Sequence, residues 1–272
     1  MITSIQNPKI QLLRTLLEKP RDRRQNQSFV VDGVRLAEEA LASGWPPKMV
    51  LFTDDLSARG REVVHQMEAA GVDVEQVASH IMKSLSETET SQGLLALLPI
   101  RSLPFPPSLN FILIADAIRD PGNLGTLLRT AAAAGVQGVI LTPGVTDPFA
   151  PKVIRSGMGA HFRLPVQSLD WPEIRTLLKE RPDPLHIYLA DVCQGSPYWE
   201  ANLRQPLALL IGGEAEGASS SARQLADSTV HIAMPGGSES LNTAVAAAVL
   251  LFEVVRQRSF SPRNLSLFIS PR

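Results

Sequence analysis

The sequence predicts an α/β protein of two domains, of which the second is built on a parallel β-sheet. Two unbroken apolar runs, Phe111–Ala115 and Leu207–Ile211, are typical of parallel strands that are covered on both faces. Strand and helix patterns alternate along this half of the chain, as they do in βαβ units. Four prolines within residues 99–108 separate it from the first half, because such a stretch continues neither a helix nor a sheet.

The chain therefore divides into an N-terminal domain (residues 1–98), a proline-rich linker (99–108), a second domain (109–260) and a tail (261–272). In the N-terminal domain, apolar residues at helical spacing predict a helix over residues 10–17 that ends near Pro20. The other elements predicted there are strands at 29–31, 49–52, 72–77 and 93–98, and helices at 36–41 and 61–70.

The second domain alternates strand and helix more strictly. One helix is predicted over residues 123–134, where Gly135 ends it, and another over residues 242–258. The predicted strands are 111–115, 138–141, 186–190, 207–211 and 230–233. The sequence shows no internal repeat and no low-complexity segment. A small α/β domain followed by a parallel-sheet α/β domain is therefore expected.

Composition indicates a globular chain with a proper core. Its 272 residues are 44% hydrophobic and 19% charged, so the fold needs no disulfides. The single cysteine, Cys193, excludes an intramolecular disulfide and favours a reducing, cytoplasmic setting. We expect no membrane span, because no apolar run reaches about 18 residues. Residues 1–6 do not resemble the start of a secretory signal.

The charges are unevenly placed, although the net charge is only −1. Residues 1–24 carry six basic side chains against Glu18 and Asp22, and the chain from Arg256 onward carries four arginines and no acid. Such asymmetry suits a protein that meets a polyanion at its ends while the remainder stays soluble. A solvated helix face and a loose tail explain the same charges, and charge alone does not separate the two interpretations.

Three motifs in the second half carry the functional prediction. They are residues 120–129 (Asp-Pro-Gly-Asn-Leu-Gly-Thr-Leu-Leu-Arg), residues 212–217 (Gly-Gly-Glu-Ala-Glu-Gly) and residues 240–242 (Ser-Leu-Asn). Each puts a polar group at the end of a buried strand or in the first turn of a helix. Open α/β sheets keep their ligand sites at those places. The three motifs together therefore predict one functional site in the second domain.

These motifs resemble those of the SpoU (TrmH-type) RNA 2′-O-ribose methyltransferases of the SPOUT superfamily. Residues 151–160 and the Leu-Pro-Val at 164–166 are similar to the family's segment between the first two motifs. Near the N-terminus, Asn-Pro-Lys at 7–9, Arg24, Phe29 and Val-Asp-Gly at 31–33 resemble the family's substrate-binding domain. The resemblance implies an L30e-like N-terminal domain and a catalytic domain with a deep C-terminal trefoil knot.

The resemblance also implies a reaction, the transfer of the methyl group of S-adenosylmethionine to a ribose 2′-hydroxyl of RNA. This hydroxyl is a poor nucleophile, so a site must orient it and stabilise the developing alkoxide. Arg129 matches the family's catalytic arginine, and Asn123 lies about one and a half turns earlier on the same helix. Some family schemes make this arginine the general base. Because a free guanidinium stays protonated, we favour charge stabilisation and phosphate binding.

The other two motifs supply the remaining candidate catalytic residues. Glu214 follows an apolar strand and two glycines, and we expect it to fix a neighbouring loop or Asn123 by hydrogen bonds. Ser240 and Asn242 stand where an N-cap and a first-turn residue would, and the resemblance gives them a second role in shaping the site. Glu216 fits a solvent-facing turn better than Glu214 does.

The resemblance places the cofactor contacts, largely main-chain groups, around Gly212, Ile232 and Leu241. The predicted RNA-binding residues are basic side chains near the N-terminus and on the segment between the first two motifs. They are Lys9, Arg21, Arg23, Arg24, Arg35, Lys152 and Arg155. We expect no metal, because the five histidines show no ligand spacing.

Other functions fit the residues less well. Gly122 and Gly125 form neither the dinucleotide fingerprint nor the lysine-bearing phosphate loop, and the chain has no Gly-x-Ser-x-Gly elbow of a serine hydrolase. The serious rival is an RNA-binding or ribosome-assembly protein that has kept the fold and lost turnover. Intact Asn123, Arg129 and Glu214 argue against it.

Within the enzyme class, the choice of RNA stays open between ribosomal RNA and tRNA. An L30e-like domain before a SpoU domain is more typical of the ribosomal RNA enzymes, so we favour 23S-type ribosomal RNA. The family works as a homodimer with the site near the interface. Residues 244–255 form an apolar helix that suits such a contact, although a buried core helix has the same pattern.

Overall fold

The structure is a computed structural model that describes residues 1–86, 91–214 and 217–259. The predicted tail and Glu216 lie outside these ranges. The chain separates into two compact units. The first holds Met1–Arg101 and Asp147–Arg163, and the second holds Ser102–Thr146 and the described residues from Leu164 onward. The segment 147–163 therefore belongs to the same compact unit as the N-terminal part, although it lies within the span of the predicted second domain.

The described residues form ten α-helices and eleven strands. The helices are α1 (Pro8–Glu18), α2 (Pro20–Asn26), α3 (Val34–Ala42), α4 (Ala58–Ala69), α5 (Ser79–Leu85), α6 (Pro121–Ala133), α7 (Pro151–Gly157), α8 (Trp171–Leu178), α9 (Ser220–Leu225) and α10 (Thr243–Ser259). The strands are β1 (Ser28–Asp32), β2 (Met49–Phe52), β3 (Asp73–Gln76), β4 (Leu94–Pro99), β5 (Phe111–Ala115), β6 (Gly138–Leu141), β7 (Val166–Ser168), β8 (His186–Asp191), β9 (Ser196–Pro197), β10 (Leu207–Ile211) and β11 (Ser228–His231).

The first unit contains a four-stranded sheet in the order β1-β4-β2-β3. Strand β4 is antiparallel to both of its neighbours, whereas β2 and β3 are parallel. Helix α1 starts at Pro8 because the Asn7 side chain caps it by accepting the N–H of Lys9. Its buried residues Ile10, Leu13 and Leu16 join the core above the sheet. Pro20 both follows α1 and begins α2, where its missing N–H costs nothing.

The second unit contains a seven-stranded sheet in the order β7-β6-β5-β10-β8-β11-β9, and each of its pairings is parallel. The chain runs outward from β5 to β7, crosses to β8 on the other side, and then returns to place β10 beside β5. The direction of the strand order therefore reverses between β5 and β10. Ligands of open α/β sheets bind at the carboxyl ends of the strands at such a point.

Helix α10 packs against α6 beside this reversal point. Its buried face includes Ala244, Ala247, Leu251 and Val254, which join the core, while its opposite face exposes Val245 and Phe252. It begins at Thr243, one residue later than the sequence predicts. None of the helices that the structure describes is long and apolar enough to span a membrane.

Candidate active site

The carboxyl end of β5 begins the site with a buried acid that anchors two loops. Asp116 is only 1% exposed. Its Oδ2 accepts the main-chain N–H of Ser219 at 2.7 Å, and its Oδ1 accepts the hydroxyl of Thr142 at 2.8 Å. The next residue, Ala117, has a φ of +54°, which an alanine rarely adopts. Asp116 therefore ties the ends of three segments together below the site.

Helix α6 starts a few residues later and presents Asn123 at its first turn. The Asp120 side chain caps the helix by accepting the N–H of Asn123 at 2.8 Å, and Pro121 occupies the first helical position. Leu124, Leu127 and Leu128 are buried. Because the apolar side of the helix is fixed in the core, the polar residues of the predicted motif face away from it.

The three predicted motifs meet through the side chain of Asn123. Its Nδ2 donates to Oε1 of Glu214 at 2.9 Å, and its Oδ1 accepts from Nδ2 of Asn242 at 2.9 Å. The carboxylate of Glu214 only accepts, so the amide group of Asn123 must face it. Glu214 therefore bonds with Asn123, one of the two partners that the sequence prediction left open. The third motif joins the same set through Asn242.

Hydrogen bonds keep Glu214 in its ionised form. Partial burial acts to raise its pKa, but donors from the Asn123 side chain and from the main chain of Glu214, Arg119 and Asp120 outweigh burial and lower the pKa below its ordinary value. The main-chain N–H of Arg119 donates to Oε2 at 3.3 Å. Glu214 is therefore a fixed negative charge at neutral pH.

Two glycines before Glu214 permit a close approach between main-chain segments. A Cβ on Gly213 would lie 2.5 Å from the carbonyl oxygen of Ala117, and a Cβ on Gly212 would lie 2.4 Å from the main-chain nitrogen of Ala218. No side chain fits in either place. The Gly-Gly pair thus lets the turn after β10 pack directly on the loop after β5, and this contact places Glu214 beside Asn123.

A cavity of about 400 Å³ opens beside Glu214, over the ends of β8, β10 and β11. Such a volume is typical of small-molecule sites. All three predicted cofactor residues, Gly212, Ile232 and Leu241, line it, as does Ser240. The apolar part of the lining includes Ile211, Val230, Ile232, Met234, Ala246 and Leu250.

The cavity also contains an ion pair that the sequence analysis missed. Arg223 donates from Nη1 to Oδ2 of Asp191 at 2.9 Å, and the other oxygen of Asp191 accepts the N–H groups of Cys193 and Gln194. Burial acts to raise the pKa of Asp191, but these hydrogen bonds outweigh it and lower the pKa. Asp191 is the last residue of β8 and directly follows the predicted apolar strand 186–190. A polar residue in that position was the available signal.

This lining fits S-adenosylmethionine. The apolar side chains suit a purine ring, and the ionised Asp191 and Glu214 suit the cationic sulfonium and ammonium groups. No group of three or more metal-ligating side chains occurs among the described residues.

Arg129 lies on α6, about one and a half turns beyond Asn123, and its side chain is exposed. It forms no hydrogen bond or ion pair with any described residue.

Asn242 itself caps α10, because its Oδ1 accepts the N–H groups of Ala244 and Val245. Ser240, which the sequence placed at the cap, instead lies two residues before it at the wall of the cavity.

All seven predicted RNA-binding residues belong to the first unit. Arg21, Arg24, Arg35 and Lys152 are exposed, and Arg155 is partly buried. The Lys9 ammonium is paired with Asp73 and Glu75, and the hydrogen bonds that it donates to these two carboxylates raise its pKa.

Arg23 requires a correction, because it is only 2% exposed. Its Nε donates to Oδ2 of Asp147 at 2.7 Å, and its Nη1 donates to the carbonyl oxygens of Leu16 and Leu17. The guanidinium thus closes the end of α1 and pairs with an acid of the segment 147–163. We therefore assign Arg23 a structural role and remove it from the RNA-binding set.

The fold and the site together define an enzyme with a cofactor-sized cavity at the reversal point of a parallel sheet. The model of the SpoU rRNA methylase family matches residues 110–252, and that of the MRM3-like substrate binding domain matches residues 7–96. The chain belongs to the SpoU rRNA methylase family.

Similar proteins align over most of the chain. The 23S rRNA (guanosine(2553)-2′-O)-methyltransferase RlmP of Bacillus subtilis is 32% identical over 93% of this chain and 98% of its own length. The 23S rRNA (uridine(2479)-2′-O)-methyltransferase of Streptomyces viridochromogenes is 32% identical over 94% of this chain and 92% of its own. The crystal structure of the SpoU methyltransferase AviRb from Streptomyces viridochromogenes, in complex with the cofactor AdoMet, has a TM-score of 0.85 at 31% identity. The match covers 93% of this chain and 98% of the AviRb chain.

These comparisons confirm the predicted family, the α/β class with a parallel sheet, the class of enzyme and the S-adenosylmethionine cofactor. The trefoil knot, the L30e-like fold of the N-terminal domain and the roles of the individual site residues stay predictions.

Proposed function

We propose that the protein methylates a ribose 2′-hydroxyl of 23S-type ribosomal RNA. The observation that carries this proposal is the hydrogen-bonded set of Asn123, Glu214 and Asn242 at the edge of a cavity that fits S-adenosylmethionine. The names of two full-length relatives, both 23S rRNA 2′-O-methyltransferases, support the choice of RNA. Because one relative modifies a guanosine and the other a uridine, the target nucleotide is not set by the family.

The cavity residues bind and orient the cofactor, which supplies an electrophilic methyl group when bound. Ile211, Val230 and Leu250 provide an apolar surface, while Asp191 and Glu214 provide negative charge. Both carboxylates are already held by donors within the protein, so little reorganisation accompanies binding.

Arg129 is the proposed catalytic residue for the RNA hydroxyl. Its exposed guanidinium is free of partners among the described residues, so it can bind a phosphate and stabilise the charge that develops on the 2′-oxygen. Asn123 is fixed at both ends of its amide and offers a polar group of defined orientation near this oxygen. A base role for Arg129 is disfavoured, because a guanidinium presents five N–H donors and no acceptor.

The first unit is the proposed RNA-binding domain. The match to a substrate-binding domain over residues 7–96 supports this assignment, as do the exposed cations Arg21, Arg24 and Arg35. Lys152 and Arg155 on α7 add positive charge to the same unit.

A homodimer is proposed from the exposed apolar face of α10. Val245, Val249 and Phe252 fall on one face at helical spacing, and Val245 and Phe252 are 50% and 47% exposed. The helix therefore combines a core face with a face that suits a second copy.

A cytoplasmic setting is also proposed, supported by the single cysteine.

The test is transfer of labelled methyl from S-adenosylmethionine to unmodified 23S rRNA, followed by alkaline digestion. Label in alkali-resistant dinucleotides supports the proposal, because a methylated 2′-oxygen cannot attack the adjacent phosphate. Label confined to mononucleotides means base methylation and overturns it. Transfer to tRNA but not to 23S rRNA moves the substrate to tRNA, and RNA binding without transfer supports the catalytically silent alternative.

Arg129→Ala is the informative variant in this assay. It should abolish transfer while leaving cofactor affinity and unfolding temperature nearly unchanged. Arg175→Ala is the matched control, because Arg175 is exposed on α8 in the same unit. Equal turnover in the two variants would remove Arg129 from the catalytic assignment.

A further inference from the structure

A second cavity adjoins the cofactor cavity at Glu214. Its volume is about 500 Å³, and it shares Gly213, Glu214, Gly217 and Ala218 with the cofactor cavity. Its own walls are Ala117, Arg119, Asp120, Ser219 and Ser220. Glu214 therefore borders both cavities.

Arg119 supplies the unpaired charge of this second cavity. Its main-chain N–H donates to Oε2 of Glu214, which holds the residue at the rim. Its side chain is exposed, and its guanidinium forms no hydrogen bond or ion pair with the described residues.

The neighbouring acids already have other partners. Glu214 accepts from Asn123 and the main chain, Asp120 caps α6, and Asp116 accepts from Ser219 and Thr142. Among the described wall residues, the guanidinium of Arg119 is therefore a positively charged group that remains available to an anion.

Contacts within the protein hold part of the cavity wall in place. Gly213 packs against the carbonyl group of Ala117, and the side chain of Asp116 fastens the N–H of Ser219 to the end of β5. The Ser219 hydroxyl is used to cap α9, where it accepts the N–H of Ala222, whereas the exposed Ser220 carries a hydroxyl that can donate. A cation and a hydroxyl thus line a cavity whose shape is set by the main chain.

We propose that this second cavity binds a phosphodiester group of the RNA next to the methylated nucleotide, with Arg119 as its principal ligand. The inference rests on the proposed function. A nucleotide inside an RNA chain carries a phosphodiester on each side of its ribose, and Arg129 accounts for one anion at most. Arg119 precedes Asn123 and Arg129 follows it, so two unpaired guanidinium groups are available for a strand that passes Asn123. A planar guanidinium donates two parallel hydrogen bonds to phosphate.

The test measures binding of unmodified 23S rRNA to the full chain at several salt concentrations. Arg119→Ala should weaken RNA binding by about tenfold, the usual scale for a charge-assisted hydrogen bond, and should lower the salt slope by about one phosphate contact. The KM for RNA should rise while kcat at saturating RNA stays close to wild type. Alanine retains the main-chain N–H that holds Glu214, so cofactor affinity should not change.

Two further variants make the result specific. Arg119→Lys keeps the charge without the planar fork, so its RNA affinity should lie between those of Arg119→Ala and wild type. Arg175→Ala removes an exposed arginine elsewhere in the unit and should leave the affinity and salt slope nearly unchanged.

Each outcome decides the inference. The inference is overturned if Arg119→Ala has the RNA affinity and salt slope of wild type. It is also overturned if this variant loses cofactor affinity or unfolds at a lower temperature, because either result marks a structural role. Wild type that binds RNA without methyl transfer would refute the proposed activity while the binding measurements still test the cavity. Wild type that binds no RNA would overturn both.

Discussion

Asn242 donates a hydrogen bond from Nδ2 to Oδ1 of Asn123 at 2.9 Å, while its own Oδ1 caps α10. One side chain therefore sets the start of a helix and the orientation of a residue in the neighbouring helix. These two roles use different atoms, so substitution can separate them.

Asn242→Asp should keep the cap and lose the donor to Asn123. We expect an unfolding temperature close to wild type together with a clear fall in kcat. Asn242→Ala should lose both roles and cost about 0.5–2 kcal/mol of stability from the cap. Thermal unfolding and methyl-transfer kinetics of the two variants measure this difference. Equal activity in Asn242→Asp and wild type would show that the bond to Asn123 has no part in turnover.

Glu214→Gln should lower turnover by about ten- to a hundredfold, because an amide cannot accept all the hydrogen bonds that the carboxylate accepts. The NH2 group of the new glutamine would face a donor of Asn123 or of the main chain. In wild type the pKa of Glu214 is lowered, so the carboxylate stays ionised at neutral pH. Its contribution to turnover is lost only as the pH falls below the ordinary carboxyl range.

Steady-state kinetics and cofactor binding of this variant give the measurement. Glu180→Gln on the outer surface is the control, since Glu180 bonds only with Thr176 among the described contacts. A variant at Glu214 with wild-type kcat would contradict the proposed positioning role.

Arg23→Ala should destabilise the protein by about 3–5 kcal/mol, because it leaves Asp147 without its cation and two carbonyl groups of α1 without their donor. Arg21→Ala and Arg24→Ala should instead weaken RNA binding and lower its salt dependence with little change in stability. Denaturant unfolding and RNA titrations of the three variants separate the two kinds of arginine. A stable Arg23→Ala protein with weakened RNA binding would restore the original prediction.

His161 should make stability depend on pH. It is almost fully buried, and burial lowers its pKa from 6.5 to about 4, although its hydrogen bond with the carbonyl group of Pro148 acts in the opposite direction. Its Nδ1 has no hydrogen-bond partner. The unfolded chain binds the proton more tightly, so stability is full above about pH 6.5 and is lost as the pH falls towards 4, by about 3 kcal/mol in total.

The unfolding free energy between pH 7.5 and 4.5 measures this effect. His161→Gln keeps a donor for Pro148 but does not titrate, so the difference between wild type and variant should shrink as the pH falls. A difference that is independent of pH would show that His161 does not control the acid sensitivity.

Phe252→Glu should convert the proposed dimer to a monomer, because it places a charge on the exposed apolar face of α10. The mass in solution, measured by light scattering, checks this. Phe252→Leu keeps an apolar side chain and should keep the dimer. A monomeric wild type would refute the proposal directly.

Local patterns predicted the regular elements well where a run was long and apolar. The bounds of β2, β6 and β10 match the predictions, because short apolar runs bounded by turn residues are typical of buried strands. The short helices α2, α5, α7, α8 and α9 were not predicted. Each has six to eight residues, which is too few for a helical period to stand out.

The sequence by itself determined the family, the parallel sheet and the three motifs of the site, since these follow from residue types at fixed spacing. It also named Asn123 as one of two alternative partners of Glu214. Only the tertiary structure placed Arg119 and the Asp191–Arg223 pair at cavity walls, because their importance lies in neighbours from distant segments. It likewise distinguished Arg23 from Arg21 and Arg24. These three arginines look alike in a charge pattern. Asp147, the acid that pairs with the buried Arg23, lies 124 residues away along the chain.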